Sequence, residues 1–183
     1  MKKLFFALAL ALSTVTTVDA QSKIAHVNSQ TLLDTMPMRK KAMAEVQELT
    51  RRGDEELGDL EKKLEKEYTD YMARRATQSP QMNQYDESRL TKMQQDAQVR
   101  EQEISNMIQN LSTSLNEEIL ATVKEAVELV AKRKGLNYVV DISSTLYASG
   151  TDITNEIIPE LLRLDAEKQK KKAAAMTQPA PGQ

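Results

Sequence analysis

Few side chains in this chain could carry out chemistry, and they do not cluster along the sequence. The chain has no cysteine and a single histidine, His26. Without cysteine, disulfides, thiolate nucleophiles and cysteine-based metal sites are excluded. A lone histidine can act as a pH switch or a metal ligand, but it fits equally a structural residue of a short strand. We therefore expect no histidine-based catalytic or metal site, and no cofactor.

The acidic pairs do not have the setting of a catalytic dyad either. They are Glu55 with Glu56, Glu65 with Glu67, and Glu117 with Glu118. Helix faces exposed to solvent typically carry such acids with basic residues one turn away, as Asp59 has in Lys63. The five glycines are dispersed, so no glycine-rich phosphate loop is present. An exported enzyme is thus a weak alternative, and we expect no small-molecule substrate.

The composition favours long helices. Of the 183 residues, 40% are apolar and 28% are charged, while tyrosine and phenylalanine together make up only 4%. Both phenylalanines fall at positions 5 and 6, so the apolar supply of the remaining chain is Leu, Ile, Val, Ala, Met and five tyrosines. A rounded α/β core normally uses more large aromatic side chains. The mixture is instead typical of extended helices with narrow apolar faces.

Residues 1–20 have the pattern of a secretory signal peptide. Two lysines precede an unbroken apolar run from Leu4 to Leu12, and Val18-Asp19-Ala20 fits a cleavage site after Ala20. Removing this segment takes away two lysines and one aspartate, which changes the net charge from −2 to −3. We expect the chain to be exported. A cysteine-free exported chain must be stabilised by packing or by assembly.

Prolines and glycines mark the ends of two long helices. Pro37 suits the first turn of a helix, and no further proline occurs before Ser79-Pro80. A second run without proline or glycine extends from about Asn83 to Lys134, where Gly135 supplies a stop. We therefore predict a helical hairpin over residues 37–134 with its tip near 79–82. Pro80 disfavours the alternative of one continuous rod, and the charged surface disfavours a three-helix bundle.

The segments on either side of the hairpin predict a small β-rich body. Residues 23–28 and 136–142 are rich in β-branched or apolar residues and are predicted strands, and 145–149 is a third short one. Ser29 is a candidate cap for a short helix, and Asp152 or Thr154 for a final helix ending at Leu164. The body thus comprises 21–36 plus 135–164. Residues 165–183 are predicted to form a solvated, disordered or frayed tail.

An eleven-residue spacing of apolar residues gives the seam between the two long helices. Eleven residues span three turns, so such a seam winds almost straight. If the chain folds back at Pro80, pairs whose residue numbers add to 161 face each other, and Gly53 meets Ile108 on this rule. The predicted seam consists of Val46, Leu57, Leu64, Tyr68, Met93, Ala97, Ile104 and Leu115. The fold class is α+β, mainly α: a long antiparallel helical hairpin projecting from a small body that self-associates.

The chain resembles the Skp/OmpH family of periplasmic chaperones over residues 20–164. The resemblance rests on the order of the signal peptide, Lys23-Ile24-Ala25-His26-Val27-Asn28, the charged hairpin, Gly135, Tyr138-Val139-Val140-Asp141 and Leu146-Tyr147. It implies a homotrimer with a small β-barrel body and three helical tentacles around a cavity. That cavity would hold unfolded outer-membrane proteins without ATP, and the mild acidity of this chain leaves only weak contact with anionic lipid. Nucleic acid is not an expected partner.

Apolar residues off the seam are candidates for contact with such clients. Methionine suits the task because it is unbranched and repacks easily. The candidates are Met72, Met82, Tyr85, Val99 and Met107, which could instead contact a neighbouring arm or simply lie on the surface. Gly53 and Gly58 lie within a long helix, and we hypothesise that they make the arm flexible. A structural or adaptor coiled-coil protein of the cell envelope, binding one folded partner, is the alternative function.

Overall fold

The computed structural model describes residues 23–177. The elements follow in the order β1 (Ile24–Val27), α1 (Ser29–Thr35), α2 (Pro37–Arg74), α3 (Pro80–Lys134), β2 (Tyr138–Asp141), a 3-10 turn (Ile142–Ser144), β3 (Thr151–Asp152) and α4 (Thr154–Thr177). The chain is mainly helical with a small strand portion. The predicted signal peptide lies outside the described residues, as does the end of the tail.

The three strands form one parallel sheet in the order β2-β1-β3. Ile24 pairs with Tyr138 at one end of the β1–β2 ladder, and Val27 pairs with Asp141 at the other. Alternation turns Ala25 and Val27 into the core, where they are 1% and 5% exposed. The sheet thereby joins the segment before the two long helices to the segments after them.

Two details of the body differ from the sequence predictions. The third strand is Thr151–Asp152 and not residues 145–149, because the chain turns through Ile142–Ser144 before it returns to the sheet. The cap of α1 is Asn28, whose side chain accepts a hydrogen bond from Thr31 N at 3.0 Å. Ser29 instead donates its hydroxyl hydrogen to Asp141 at the end of β2. That bond ties the start of α1 to the end of the neighbouring strand β2.

Local residues determine where the long helices end. The hydroxyl of Ser79 accepts a hydrogen bond from Met82 N at 3.3 Å, and Pro80 occupies the first turn of α3. Gly135 ends α3 with φ of 63°, a left-handed conformation that glycine adopts without steric cost. Helix α2 begins at Pro37 and ends at Arg74, a few residues before the expected break.

Helices α2 and α3 run side by side in opposite directions. The carboxylate of Glu56 accepts two hydrogen bonds from Arg100, at 2.6 and 3.0 Å, and Glu67 pairs with Arg89 nearer the tip. As the residue number rises along α2, its partner's number falls along α3. Residues 37–134 therefore form an arm whose tip is the turn between Arg74 and Pro80.

The predicted register of the seam is wrong by one helical turn. A Cβ built on Gly53 would lie 2.5 Å from Cγ2 of Ile104, so Gly53 faces Ile104 and not Ile108. Ile104 and Leu115 are buried, as the seam requires. Tyr68 is 55% exposed and does not belong to the seam, whereas Tyr71 is 4% exposed and takes its place. The other predicted seam residues are half-buried: Val46, Leu57, Leu64, Met93 and Ala97.

The predicted end of the last helix at Leu164 is also wrong. Helix α4 continues to Thr177, and Asp165 is completely buried where a solvated tail was expected. Its carboxylate accepts a hydrogen bond from Met38 N at 3.1 Å, in the first turn of α2. Lys168 then pairs with Glu125 at 2.9 Å, and Lys172 pairs with Glu118 at 3.7 Å, both on α3. The segment 165–175 therefore packs along the root of the arm.

One apolar core joins the body to the root of the arm. It combines residues of the sheet, of α1 and α4, and of the proximal ends of α2 and α3. Its most deeply buried large side chains are Leu32, Met36, Ile153, Ile157 and Leu161. Within the arm beyond Val46 and Leu111 no residue belongs to this core, so the distal arm is held by its narrow seam and by polar contacts between the two helices.

Candidate functional site

Polar contacts close the tip of the arm around Tyr71. The Tyr71 hydroxyl donates a hydrogen bond to the Glu87 carboxylate at 2.6 Å, and the Arg75 guanidinium lies 6.0 Å from the centre of the Tyr71 ring. The hydrogen bond to Glu87, together with burial, raises the pKa of Tyr71. Asn83 adds a hydrogen bond from its amide nitrogen to Arg75 O at 3.1 Å. These contacts hold the ends of the two helices together at the tip.

A groove next to this tip has an apolar floor and wall. We call it the tip groove; it is lined by Leu64, Tyr68, Tyr71, Met72 and Leu90 and has a volume of about 560 Å³. Tyr68 and Met72 are 55% and 47% exposed, so their side chains are open to solvent at its edge. Glu61 and Glu65 also line the groove, one helical turn apart. An extended apolar segment could lie against this surface.

A second and larger groove lies at the root of the arm. We call it the root groove; Ala42, Met43 and Val46 of α2 face Leu115 and Ile119 of α3 across a volume of about 960 Å³. Met43 is 61% exposed there. The α3 side also supplies uncharged polar side chains, namely Gln109, Ser112, Thr113 and Asn116. This surface combines apolar contact with side chains able to bond to a peptide main chain.

The residues predicted to contact clients are all exposed, at 41–64% of their surface. Among them, Met72 lines the tip groove, whereas Met82, Tyr85, Val99 and Met107 line neither groove. The sequence pattern marked Tyr71 only as a buried-type position of the first long helix, and it did not single out Leu90 of the tip groove or Met43 of the root groove. A seam predicted one helical turn further along would have placed Tyr71 in the buried seam and Tyr68 beside it on the surface. Contact with clients stays a prediction for all five residues.

The body carries an uncovered apolar surface, which we call the body patch. Ile24 and Tyr138, paired across β1 and β2, are 51% and 62% exposed on the outer face of the sheet. Beyond β2, Ile142 and Tyr147 are 39% and 83% exposed, and Leu146 is fully exposed. Several large apolar side chains exposed on one small body are typical of an interaction surface.

His26 lies on the same sheet, but it is buried. Its exposure is 8%, and its main-chain oxygen accepts a hydrogen bond from Ile153 N at 3.0 Å. The nearby Asp152 carboxylate has a lowered pKa. The main cause is the hydrogen bonds that Thr154 donates to it, and the charge interaction with His26 is a smaller cause. This setting matches a structural residue that joins β1 to β3.

Membrane-spanning and metal-binding features are absent from residues 23–177, the part of the chain that the structure describes. None of its helices has a stretch both long and apolar enough to cross a membrane. No three histidine, aspartate or glutamate side chains in that range are arranged to hold a metal ion.

Comparison with known proteins assigns the family. A sequence model of the family described as outer membrane protein (OmpH-like) matches residues 23–161, which span the body and the whole arm. The chain belongs to the OmpH-like family. A relative of this OmpH-like protein is the chaperone protein Skp of Pectobacterium atrosepticum, 26% identical over 166 residues, which cover 84% of this chain and 94% of that protein.

A solved structure agrees with the fold. The crystal structure of a chain from Caulobacter crescentus, described as an OmpH-like outer membrane chaperone, superposes with a TM-score of 0.69. The match covers 81% of this chain and 86% of that one at 15% identity. At that identity the likeness concerns the fold. The family match ends at residue 161, so the last two thirds of α4 lie beyond it.

Proposed function

We propose that this OmpH-like protein is a periplasmic, ATP-independent holdase that binds unfolded outer-membrane proteins and keeps them from aggregating. It is not an enzyme on this proposal. The observation that carries the proposal is an arm built of two helices that leaves adaptable apolar side chains exposed along its length. Family membership and the chaperone name of the relative from Pectobacterium atrosepticum support it.

The arm suits a client without fixed shape. Its exposed apolar residues are separated by charged ones, so each offers a weak contact and many can act together. Methionines such as Met43, Met72 and Met107 adapt to different side chains at low cost because they are unbranched and polarizable. A binding surface of this kind favours breadth of recognition over affinity for one partner.

A cavity that encloses a client requires more than one arm, and the body patch supports self-association. A sheet of three short strands with an apolar outer face is unlike the surface of a stable monomer. We propose a homotrimer in which the body patches of three copies meet and the arms surround the client. The expected phenotype of Leu146→Asp with Tyr147→Asp is a smaller assembly in light scattering coupled to size-exclusion chromatography. A mass unchanged from the wild type would contradict this role of the patch.

Only weak contact with anionic lipid is proposed. Of the lysines near the C-terminus, Lys168 and Lys172 form ion pairs with Glu125 and Glu118, so fewer of them face outwards than the sequence suggests. A membrane surface attracts basic clusters by about 1 kcal/mol per residue close to it. The engaged lysines reduce that attraction.

The test is suppression of aggregation. An unfolded outer-membrane β-barrel protein is diluted from urea with the mature chain and without ATP, and turbidity is followed. We expect suppression near one assembly per client, and reduced suppression when Met72, Met82 and Met107 are all changed to serine. Changing three exposed glutamines of α3, Gln95, Gln98 and Gln102, to serine is the matched control. An assembly that leaves several such clients to aggregate, and binds one native envelope protein instead, would favour the adaptor function.

A further inference from the structure

We propose that the tip groove selects client segments in which a lysine or arginine lies two residues from an apolar residue in an extended strand. The inference rests on the proposed holdase function and specifies which segments the distal arm prefers. Three features support it. The groove has an apolar surface, it carries carboxylates without an ion-pair partner, and the side chains of an extended client segment have the spacing that reaches both.

The apolar surface is the first of these features. Tyr71 forms a buried floor, Leu64 and Leu90 are half-buried beside it, and Tyr68 and Met72 are exposed along the edge. The groove's volume of about 560 Å³ falls within the usual range of binding pockets. An aromatic ring and a methionine at the edge offer a large contact area with few rigid demands on shape. This part of the groove accepts an apolar side chain.

The carboxylates are the second feature. Glu87 pairs with Arg75 at 3.9 Å and accepts the Tyr71 hydroxyl, so its charge is compensated within the groove. Glu61 and Glu65 form no ion pair with any residue of 23–177. They lie four residues apart on one helix face, where like charges repel each other. The lining thus has two uncompensated negative charges that a cationic side chain would offset.

The spacing of an extended chain is the third feature. Alternate side chains of a strand point the same way and are about 7 Å apart. Carboxyl-bearing residues one helical turn apart have Cβ atoms about 5–6 Å apart. Tyr71 lies six residues from Glu65, about 9 Å along the helix, and Leu64 lies three residues from Glu61, about 4.5 Å. An apolar side chain at position i can therefore rest on Tyr71 and Leu90 while a long basic side chain at i+2 reaches Glu65, or rest on Leu64 while the basic one reaches Glu61. Strands of outer-membrane barrels, which alternate apolar with polar residues, contain such pairs where they leave the apolar band.

The experiment uses the full mature assembly and a fluorescent reporter in the groove. Because the chain has no cysteine, Gln94→Cys at the lining can be labelled at one position with an environment-sensitive dye. The probes are three capped nine-residue peptides with threonine at even positions. At the odd positions, leucine alternates with lysine in the first peptide, with glutamine in the second and with glutamate in the third. Binding is titrated at low and at high salt.

We expect the lysine peptide to bind most tightly and to lose affinity as salt rises. Glu61→Gln with Glu65→Gln should weaken its binding by about threefold to tenfold at low salt, the range for two exposed ion pairs. The same double variant should leave the glutamine peptide unchanged. Asp54→Asn with Glu101→Gln is the control for overall charge, since these two exposed acids lie outside the groove, and it should have no effect on either peptide.

Other outcomes would overturn the inference. Equal binding of the lysine and glutamate peptides, or an unchanged lysine peptide in the Glu61 and Glu65 double variant, removes the charge selection. A dye already buried before any peptide is added means that a second copy of the chain occupies the groove. Aggregation of an unfolded barrel protein is measured in parallel with the wild-type assembly. If the peptides show no charge selection but the assembly still suppresses aggregation, only this inference fails. If the assembly does not suppress aggregation, the proposed holdase function fails as well.

Discussion

The root and the distal half of the arm consist of the same two helices, but they are stabilised by different means. At the root, α4 and the body cover α2 and α3, and residues such as Ala126, Leu161 and Asp165 have no exposed surface. Further out, Ile104 and Tyr71 are buried on a single seam, and ion pairs such as that of Glu56 with Arg100 flank it. The root can therefore remain rigid while the distal arm keeps its apolar side chains open to a partner.

The largest expected effect is a cavity at the root. Leu161→Ala removes a fully buried side chain from the common core and should lower the free energy of unfolding by about 2–5 kcal/mol. Leu64→Ala is the matched change in the distal arm, where the half-buried side chain should cost about 1 kcal/mol. Urea denaturation followed by circular dichroism measures both. Equal losses would mean that the two regions do not differ as described.

The buried carboxylate of Asp165 comes next. It accepts hydrogen bonds from Met38 N and from the Gln169 side chain at 2.7 Å, so Asp165→Ala leaves the start of α2 without a cap. We expect a loss of about 1–3 kcal/mol in the free energy of unfolding. Asp70→Ala, at an exposed position of the same helix α2, should change it by less than about 0.5 kcal/mol. A loss in Asp165→Ala no larger than in this control would contradict the cap.

The two glycines of α2 should respond in opposite directions. Gly53→Ala brings a methyl group against Ile104 and should destabilise the arm by about 1–3 kcal/mol, an effect that Ile104→Ala should relieve in the double variant. Gly58 has open space around its position, so Gly58→Ala should stabilise the helix by up to about 1 kcal/mol. Thermal unfolding of the single and double variants gives the signs.

The same glycines test the flexibility hypothesis. Gly58→Ala alone stiffens the helix without disturbing the seam, so it isolates flexibility from packing. If bending at Gly58 widens the cavity, this variant should hold large barrel clients less well than small ones. Unchanged capacity for both sizes would leave Gly58 as a tolerated residue.

The smallest effect is expected for an ion pair of the distal arm. Hydrogen bonds from Arg100 lower the pKa of the Glu56 carboxyl, but the pair is open to solvent. Glu56→Gln should lower the melting temperature slightly in dilute buffer and not at all in concentrated salt, since salt screens exposed charges. A loss that persists at high salt would mean that packing of the Glu56 side chain, and not its charge, supports the arm.

Local signals predicted the boundaries of the two long helices well because they act through sterics within a few residues. Pro37, Ser79-Pro80 and Gly135 lie at the beginning or end of a helix in the structure. The eleven-residue spacing also identified the faces that meet, since Ile104 and Leu115 are buried. It could not give the axial offset between the helices, because an apolar ladder repeats at every turn and a slip of one turn costs little locally. The close contact of Gly53 with Ile104 and the bond of Tyr71 to Glu87 select the offset.

The sequence by itself therefore determined the approximate lengths of the two long helices, the position of the turn between them and the apolar faces that meet, since all of these follow from residues close together in the chain. Tertiary structure alone decided the fate of residues 165–175. A lysine-rich stretch has the composition of a solvated tail, yet Asp165 caps the helix α2 through Met38, 127 residues earlier in the chain, and Lys168 and Lys172 pair with α3. Those partners are distant in sequence, and no local pattern shows that the fold will bring them within reach.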